Sequence, residues 1–296
     1  MKPTVGVIGL GIMGSAMAAN LVKSGFKVVG HDVATRARRA HARAGGVVAR
    51  SNADVARRAP IVITSLPSVA ALASVAAEIA AAHRRGLVVV ETSTLPIEAK
   101  EAAREVLARV GTTLLDCPLS GTGAQARAKD LLVYASGPRA AYAACREVFR
   151  GFSRGHHYVG GFGAGSKMKY VANLLVAIHN VAAAEAFTLA RKAGLDPALV
   201  LKVVGDGAGA SRMFQVRGPM MVAEDYTDAT MKIEVWQKDM HIIGEFATKL
   251  GCPTPLFAAS APLYTAAMAS GYAKQDTGAV CAVLGEMAGL ERRRRR

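Results

Sequence analysis

Over roughly the first half of the chain, short apolar runs alternate with segments whose apolar positions recur at helical spacing. The β-branched and apolar runs predict strands at residues 4–8, 27–31, 61–65, 87–91, 113–116 and 131–136. Between the first two lies a glycine-rich turn at 9–14, after which Met13, Met17, Leu21 and Val22 share one helical face and Gly25 stops the helix. Further helices are predicted at 51–58, 68–82, 97–110 and 139–149. This βαβα order predicts a parallel, doubly wound sheet.

The pattern changes near Gly160, where Gly160, Gly161, Gly163 and Gly165 interrupt it. A single helical pattern then runs from about 166 to 192, long enough to span roughly 40 Å. No strand alternation follows. Asp196-Pro197 reads as an N-cap followed by Pro at the first helical position. Helices are predicted at 233–250, 257–270 and 277–287, the first two ended by Gly251 and Gly271. The chain therefore reads as α/β, with a nucleotide-binding domain over 1–162 and an all-helical substrate and dimerisation domain over 163–291. The run Arg292 to Arg296 is expected to be a disordered tail, because like charges repel.

Composition narrows the function classes. The 296 residues are 51% hydrophobic but only 5% aromatic, which suits tightly packed helices on a βα sheet. The net charge of +15 leaves two readings, a nucleic-acid surface or compositional bias with anionic small substrates. No aromatic-plus-basic recognition motif accompanies the charge, so nucleic acid is not the expected partner. Cys117, Cys145, Cys252 and Cys281 form no CxxC or Cys/His cluster, so no metal site is expected. The most apolar stretch, 170–187, is broken by Asn173, His179, Asn180 and Glu185, which argues against a membrane span. No signal-peptide pattern opens the chain, and a cytoplasmic, reduced location is expected.

Gly9-Leu10-Gly11-Ile12-Met13-Gly14 is a G-x-G-x-x-G turn. The pattern is weak by itself, but here it follows a strand, opens a helix and precedes a second strand ending in Asp32. Gly9 permits the tight turn, Gly11 lets the backbone approach a pyrophosphate, and Gly14 lets the helix pack on the strand. The N–H groups at the helix start suit phosphate oxygens. Asp32 should accept from the adenosine ribose hydroxyls and repel a 2′-phosphate, which favours NAD. Arg36, Arg38 and Arg39 just beyond leave NADP open: they either hold a 2′-phosphate or form a solvated helix face.

Four segments resemble the β-hydroxyacid dehydrogenases, the family of 3-hydroxyisobutyrate dehydrogenase, tartronate semialdehyde reductase and L-threonate dehydrogenase. They are the glycine turn with Met17-Ala18-Ala19-Asn20-Leu21, then Asp116-Cys117-Pro118-Leu119-Ser120-Gly121, then Gly163 to Asn173, and finally Lys238-Asp239. They occur in the family's order, and the resemblance covers residues 4–290. It implies a Rossmann-like N-terminal domain, a helical C-terminal domain, an active site between them, and a homodimer or homotetramer built through the helical domain. It further implies dinucleotide contacts from Gly9, Gly11, Ile12, Met13, Gly14, Asp32, Leu66, Thr94 and Lys238. Lys169 is implied as the catalytic proton-transfer group, with Ser120 and Asn173 beside it.

The reaction so implied moves a hydride between a nicotinamide and the carbinol carbon of a small 3-hydroxy acid. To act as a base, Lys169 needs a pKa below its reference range. Partial desolvation and a place in the first turn of a helix would both act in that direction. Asn173 lies four residues on, on the same face. Ser120 and the N–H groups of Gly121 and Thr122 are expected to cradle the substrate carboxylate. Here the chain departs from its relatives. Thr122 stands where they carry a second Gly, and Lys129, followed by Asp130, where they carry a later one. Residues 211–214 and Trp236 are either further substrate contacts or core. Imine reductases share the architecture but carry Asp or Tyr in place of the lysine, so Lys169 favours carbonyl chemistry. The alternative class is a non-catalytic dinucleotide-binding scaffold with a basic surface.

Overall fold

The first strand, β1 (Val5–Ile8), is buried along its whole length, as a run of Val and Ile requires when both sheet faces are covered. The computed structural model describes residues 2–291. The expected arginine tail at 292–296 lies outside the described residues. By internal contacts the chain divides into Met1–Lys169 and Tyr170–Arg296.

In the first unit, β1 leads into α1 (Ile12–Lys23), β2 (Val28–His31), α2 (Thr35–Arg43), β3 (Val47–Val48) and α3 (Asn52–Arg58). Then come β4 (Ile61–Thr64), α4 (Val69–Ala80), β5 (Val88–Glu91), α5 (Ile97–Ala108) and β6 (Thr113–Asp116). The unit closes with β7 (Leu119–Ser120), α6 (Gly123–Arg127), β8 (Leu132–Ser136), α7 (Arg139–Phe152), β9 (Gly155–Gly160) and the start of α8 (Ala164–Lys192). Strands β3, β2, β1, β4, β5 and β6 lie in that order, each parallel to its neighbour, with Val5 beside both Val28 and Ile61.

Successive strand side chains point to opposite faces. Val5, Val7, Ile61, Ile63 and Val90 pack under α1 and α7, whereas Ile8, Val62, Val89 and Leu114 pack under α3, α4 and α5. Two cores on the two faces of one sheet make the Rossmann-like, doubly wound fold. The sheet is not wholly parallel, however. Pro118 interrupts the strand between β6 and β7, both of which pair antiparallel with β8, and β9 runs parallel to β8.

The second unit is helical: the rest of α8, α9 (Pro197–Gly205), α10 (Arg212–Ala223), α11 (Ile233–Lys249), α12 (Pro255–Ala269), a 3-10 turn at Thr277–Ala279 and α13 (Val280–Met287). By length and composition α8 could cross a membrane. Here it is a packed core helix: Ala177, Asn180, Ala184 and Phe187 are fully buried, Phe187 stacks on Phe214, and Tyr264 donates to the Ala177 carbonyl. Of the undecided residues, Phe214 and Trp236 are core, and Ser211 caps α10 through the Phe214 N–H.

The elements that the pattern does not predict lack a face of large apolar side chains or are broken by glycine and proline. Helix α2 carries four arginines and buries only His41. Helix α6 has five residues. Helix α10 contains Gly218 and Pro219, which read as breakers. Strand β9 is Gly- and His-rich and only partly buried.

Candidate active site

The glycine turn is shaped by collisions that a side chain would cause. Gly9 has φ +85°, and a Cβ on it would strike the Ser65 carbonyl oxygen. A Cβ on Gly14 would strike the Gly9 carbonyl oxygen, so the helix start sits directly on the turn. A Cβ on Gly11 would meet nothing within 4 Å, which leaves its approach open. Gly11 caps α1 without a side-chain bond, so the first N–H groups of α1 have no intrahelical or capping side-chain acceptor. Ile12 beside them is 71% exposed. The cradle fits a dinucleotide pyrophosphate.

Asp32, at the end of β2, closes this turn. Its Oδ2 accepts from Leu10 N and its Oδ1 from Ala34 N, both at 2.7 Å. Each carboxylate oxygen keeps a second acceptor position for a ribose hydroxyl. Arg38 donates to the carbonyls of Asp32 and Val33 and to Thr35 Oγ1, which holds its guanidinium beside the end of β2. Arg36 and Arg39 are exposed. Across the sheet, Leu66 N donates to Ser93 Oγ at 2.8 Å, which joins the Leu66 turn to the Thr92-Ser93-Thr94 turn.

Ser120 ends β7, and Gly121 follows at φ +132°, where a Cβ would lie 2.6 Å from Leu131 Cδ2. Thr122 behaves differently from the expectation that its N–H faces a substrate carboxylate. That N–H donates to Gln125 Oε1 at 3.0 Å, and Thr122 Oγ1 accepts from Gln125 N at 3.5 Å. The residue is the N-cap of α6 in a capping box. Its φ of −97° is open to any residue, so threonine is accommodated without strain where the family resemblance leads one to expect glycine. Lys129 is the opposite case. It has φ +60°, a left-handed conformation that explains why a glycine is expected there. Asp130 accepts from Gln125 Nε2 and pairs with Arg154, holding the turn.

Asn20 is a further residue that positions the site. It is buried on α1 and donates Nδ2 to the Ala126 carbonyl at 2.7 Å. A Cβ on Gly123 would meet Ile12 at 2.5 Å. The glycine turn and the Ser120–Thr122 segment are therefore held side by side within one unit. A polar residue inside an apolar helical face was the available signal.

Helix α8 begins two residues earlier than expected, so Lys169 is its sixth residue and stands in the second turn. The helix-dipole contribution falls off beyond the first turn and is weaker there than supposed. Lys169 is partly exposed. In the second unit, Asn173 is buried and donates Nδ2 to Asp239 Oδ2 at 2.8 Å. Lys238 Nζ lies 2.8 Å from Asp239 Oδ1. Asp239 thus joins Asn173 to Lys238. Among the described residues, no three His, Cys, Asp or Glu are grouped to hold a metal ion.

Residues 4–161 match the family described as the NAD binding domain of 6-phosphogluconate dehydrogenase. Residues 163–284 match the family described as NAD-binding of NADP-dependent 3-hydroxyisobutyrate dehydrogenase. The chain is 34% identical to an L-threonate dehydrogenase of Cupriavidus necator, over 95% of this chain and 95% of that protein. It is 31% identical to the mitochondrial 3-hydroxyisobutyrate dehydrogenase of Rattus norvegicus, over 96% of this chain and 88% of the relative. A solved 3-hydroxyisobutyrate dehydrogenase of Mycobacterium tuberculosis, with L-serine, superposes with TM-score 0.87 at 28% identity, covering 96% of this chain and 99% of that one.

Proposed function

The chain belongs to the β-hydroxyacid dehydrogenase family and is an NAD(P)-dependent hydroxyacid dehydrogenase, and from that premise we propose that it acts on a small 3-hydroxy acid with Lys169 as general acid and base. The observation that carries this reading is the Asn20–Ala126 hydrogen bond, which holds the cofactor turn beside the Ser120–Gly121 segment.

A bound nicotinamide would supply the hydride chemistry, between the carbinol carbon and the corresponding carbonyl. Gly9, Gly11, Ile12, Met13 and Gly14 hold the pyrophosphate, Asp32 the ribose, and Leu66, Thr94 and Lys238 the remainder of the cofactor. Ser120 Oγ and the Gly121 N–H bind the substrate carboxylate. The N–H of Thr122 is already given to Gln125, so Thr122 shapes this site as a helix cap. Lys169 takes the hydroxyl proton in oxidation and returns one to the carbonyl oxygen in reduction. The Asn173 amide is oriented by Asp239, which fixes its Nδ2 side and turns Oδ1 the other way.

The carboxylate of Asp32 favours NAD, because a 2′-phosphate brings like charge to it. On α8, Val171, Leu175, Ala182, Ala186 and Leu189 form an exposed, mostly apolar stripe at helical spacing, which supports a homodimer or homotetramer through residues 163–291. The location proposed is cytoplasmic.

The test is nicotinamide absorbance with purified protein. NAD and NADP are offered in turn with 3-hydroxyisobutyrate, threonate, glycerate, serine and 4-hydroxybutyrate. Turnover of a 3-hydroxy acid with higher kcat/KM for NAD is expected. Turnover of none with either cofactor contradicts the proposal.

A further inference from the structure

Beneath the cofactor and substrate segments of the first unit lie three fully buried charges: Lys100 on α5, Glu91 at the end of β5 and Asp116 at the end of β6. Lys100 Nζ stands 2.7 Å from Glu91 Oε2 and 2.8 Å from Asp116 Oδ1, and it donates to the Ser93 carbonyl at 2.7 Å. Burial by itself lowers the pKa of Lys100, but the two carboxylates outweigh it and hold the amine above its ordinary value. The two carboxylates therefore favour the charged ammonium.

Buried ionic groups are costly to desolvate, and well-packed apolar side chains often replace them without loss of stability. Stability alone is a poor reason for this cluster. Its connections give a better one. Toward the cofactor side, Glu91 Oε1 accepts from Ser93 N at 2.9 Å, and Ser93 Oγ accepts from Leu66 N at 2.8 Å. Toward α8, Asp116 Oδ2 accepts from Ser166 N at 2.7 Å and Oδ1 from Ser166 Oγ at 2.9 Å. Ser136 Oγ donates to the Asp116 carbonyl and accepts from Gly165 N. A Cβ on Gly165 would lie 2.5 Å from the Tyr134 carbonyl oxygen and 2.6 Å from that of Asp116, so the helix start rests on the sheet backbone. Ser166 precedes Lys169 by three residues, and Asp116 opens the segment that ends in Ser120 and Gly121.

We propose that Lys100 is a positioning residue: with Glu91 and Asp116 it forms a buried brace that fixes the Leu66–Ser93 turns, the Asp116–Gly121 segment and the first turn of α8 relative to one another, and so sets where Lys169 stands. The catalytic part of this inference rests on the proposed role of Lys169. Displacing a reacting group by about 1 Å costs on the order of a hundredfold in rate, so a brace need move little to matter.

The test uses the full chain and two variants, Ser166→Ala and the charge-neutral double variant Glu91→Gln/Lys100→Met. Backbone hydrogen exchange is followed at residues 164–170, with melting temperature, cofactor affinity, kcat and KM. Ser166→Ala is expected to melt within about 5 °C of wild type, the double variant to melt lower because Asp116 keeps its charge without the ammonium, and both to exchange at 164–170 at least about tenfold faster, with the core strands unchanged. In Ser166→Ala kcat should fall about tenfold or more, with KM and cofactor affinity within about threefold, while in the double variant cofactor affinity weakens as well, through the Leu66–Ser93 turns. A merely structural cluster would instead lower kcat in Ser166→Ala only together with melting temperature and cofactor affinity, and that result overturns the proposal. Unchanged exchange at 164–170 in both variants also overturns it, as does unchanged kcat despite faster exchange. Exchange needs no substrate, so it decides the brace even if the wild type turns over no hydroxy acid, a result that would sink the proposed reaction instead.

Discussion

Asn173 donates its amide to one oxygen of Asp239 at 2.8 Å, while the other oxygen holds Lys238 Nζ at the same distance. One carboxylate thereby orients a residue proposed to meet the substrate and a residue proposed to meet the cofactor. Asp239→Ala releases both. Its kcat/KM is expected to fall at least about tenfold, equivalent to about 1.4 kcal/mol of transition-state stabilisation, and its affinity for NADH to weaken. Steady-state kinetics with a fluorescence titration checks both, and an unchanged pair of values contradicts the shared role.

Gly14 is tied to the turn by geometry alone. A Cβ there collides with backbone, which has no side-chain freedom to yield. Gly14→Ala is expected to weaken dinucleotide binding at least about tenfold, or about 1.4 kcal/mol, while Gly11→Ala, with open space around it, leaves the fold intact. Calorimetric titration with NAD and NADP distinguishes them.

Much of this was legible in the sequence, and the reasons differ by element. Strands β1, β4 and β5 are Val- and Ile-rich runs because both faces are buried, and their predicted ends fall within a residue of those observed, whereas the two-residue β3, only partly buried, is not predicted. The glycine turn was legible because its chemistry is backbone chemistry, dictated by residue type at fixed spacing. The role of Thr122 was not. Its N–H and hydroxyl are absorbed by Gln125 three residues on, a local capping box that competes with ligand binding for the same donor. Lys100 was illegible for another reason: its partners Glu91 and Asp116 lie on strands brought beside α5 only by the fold.

Lys129 gives a stability prediction. A side chain at φ +60° costs about 1 kcal/mol or somewhat more, against a smaller entropic cost for glycine. Lys129→Gly is expected to raise unfolding free energy by about 0.5–1 kcal/mol, measurable by urea denaturation. A destabilised variant would show that the lysine side chain contributes more than the backbone loses.

Asp276 gives a pH prediction. Burial alone would raise its pKa, but Arg217 at 2.8 Å, the Gly278 and Met231 N–H groups and Thr230 hold it below its ordinary value. A depressed folded pKa contributes stability above the unfolded value of about 3.9, and that contribution is lost as pH falls through the folded pKa. Asp276→Asn is expected to cost about 3 kcal/mol at pH 7, and the difference should narrow as pH falls below about 4. Melting curves across pH 2–7 check the slope, and a gap that stays constant contradicts it.

The most direct test of the central claim is Lys169→Ala beside wild type, assayed by nicotinamide absorbance with the best hydroxy acid from the panel. The account predicts that kcat falls at least about a hundredfold, as loss of a general acid and base requires, while NAD affinity stays within about threefold. Equal turnover in wild type and variant would contradict it.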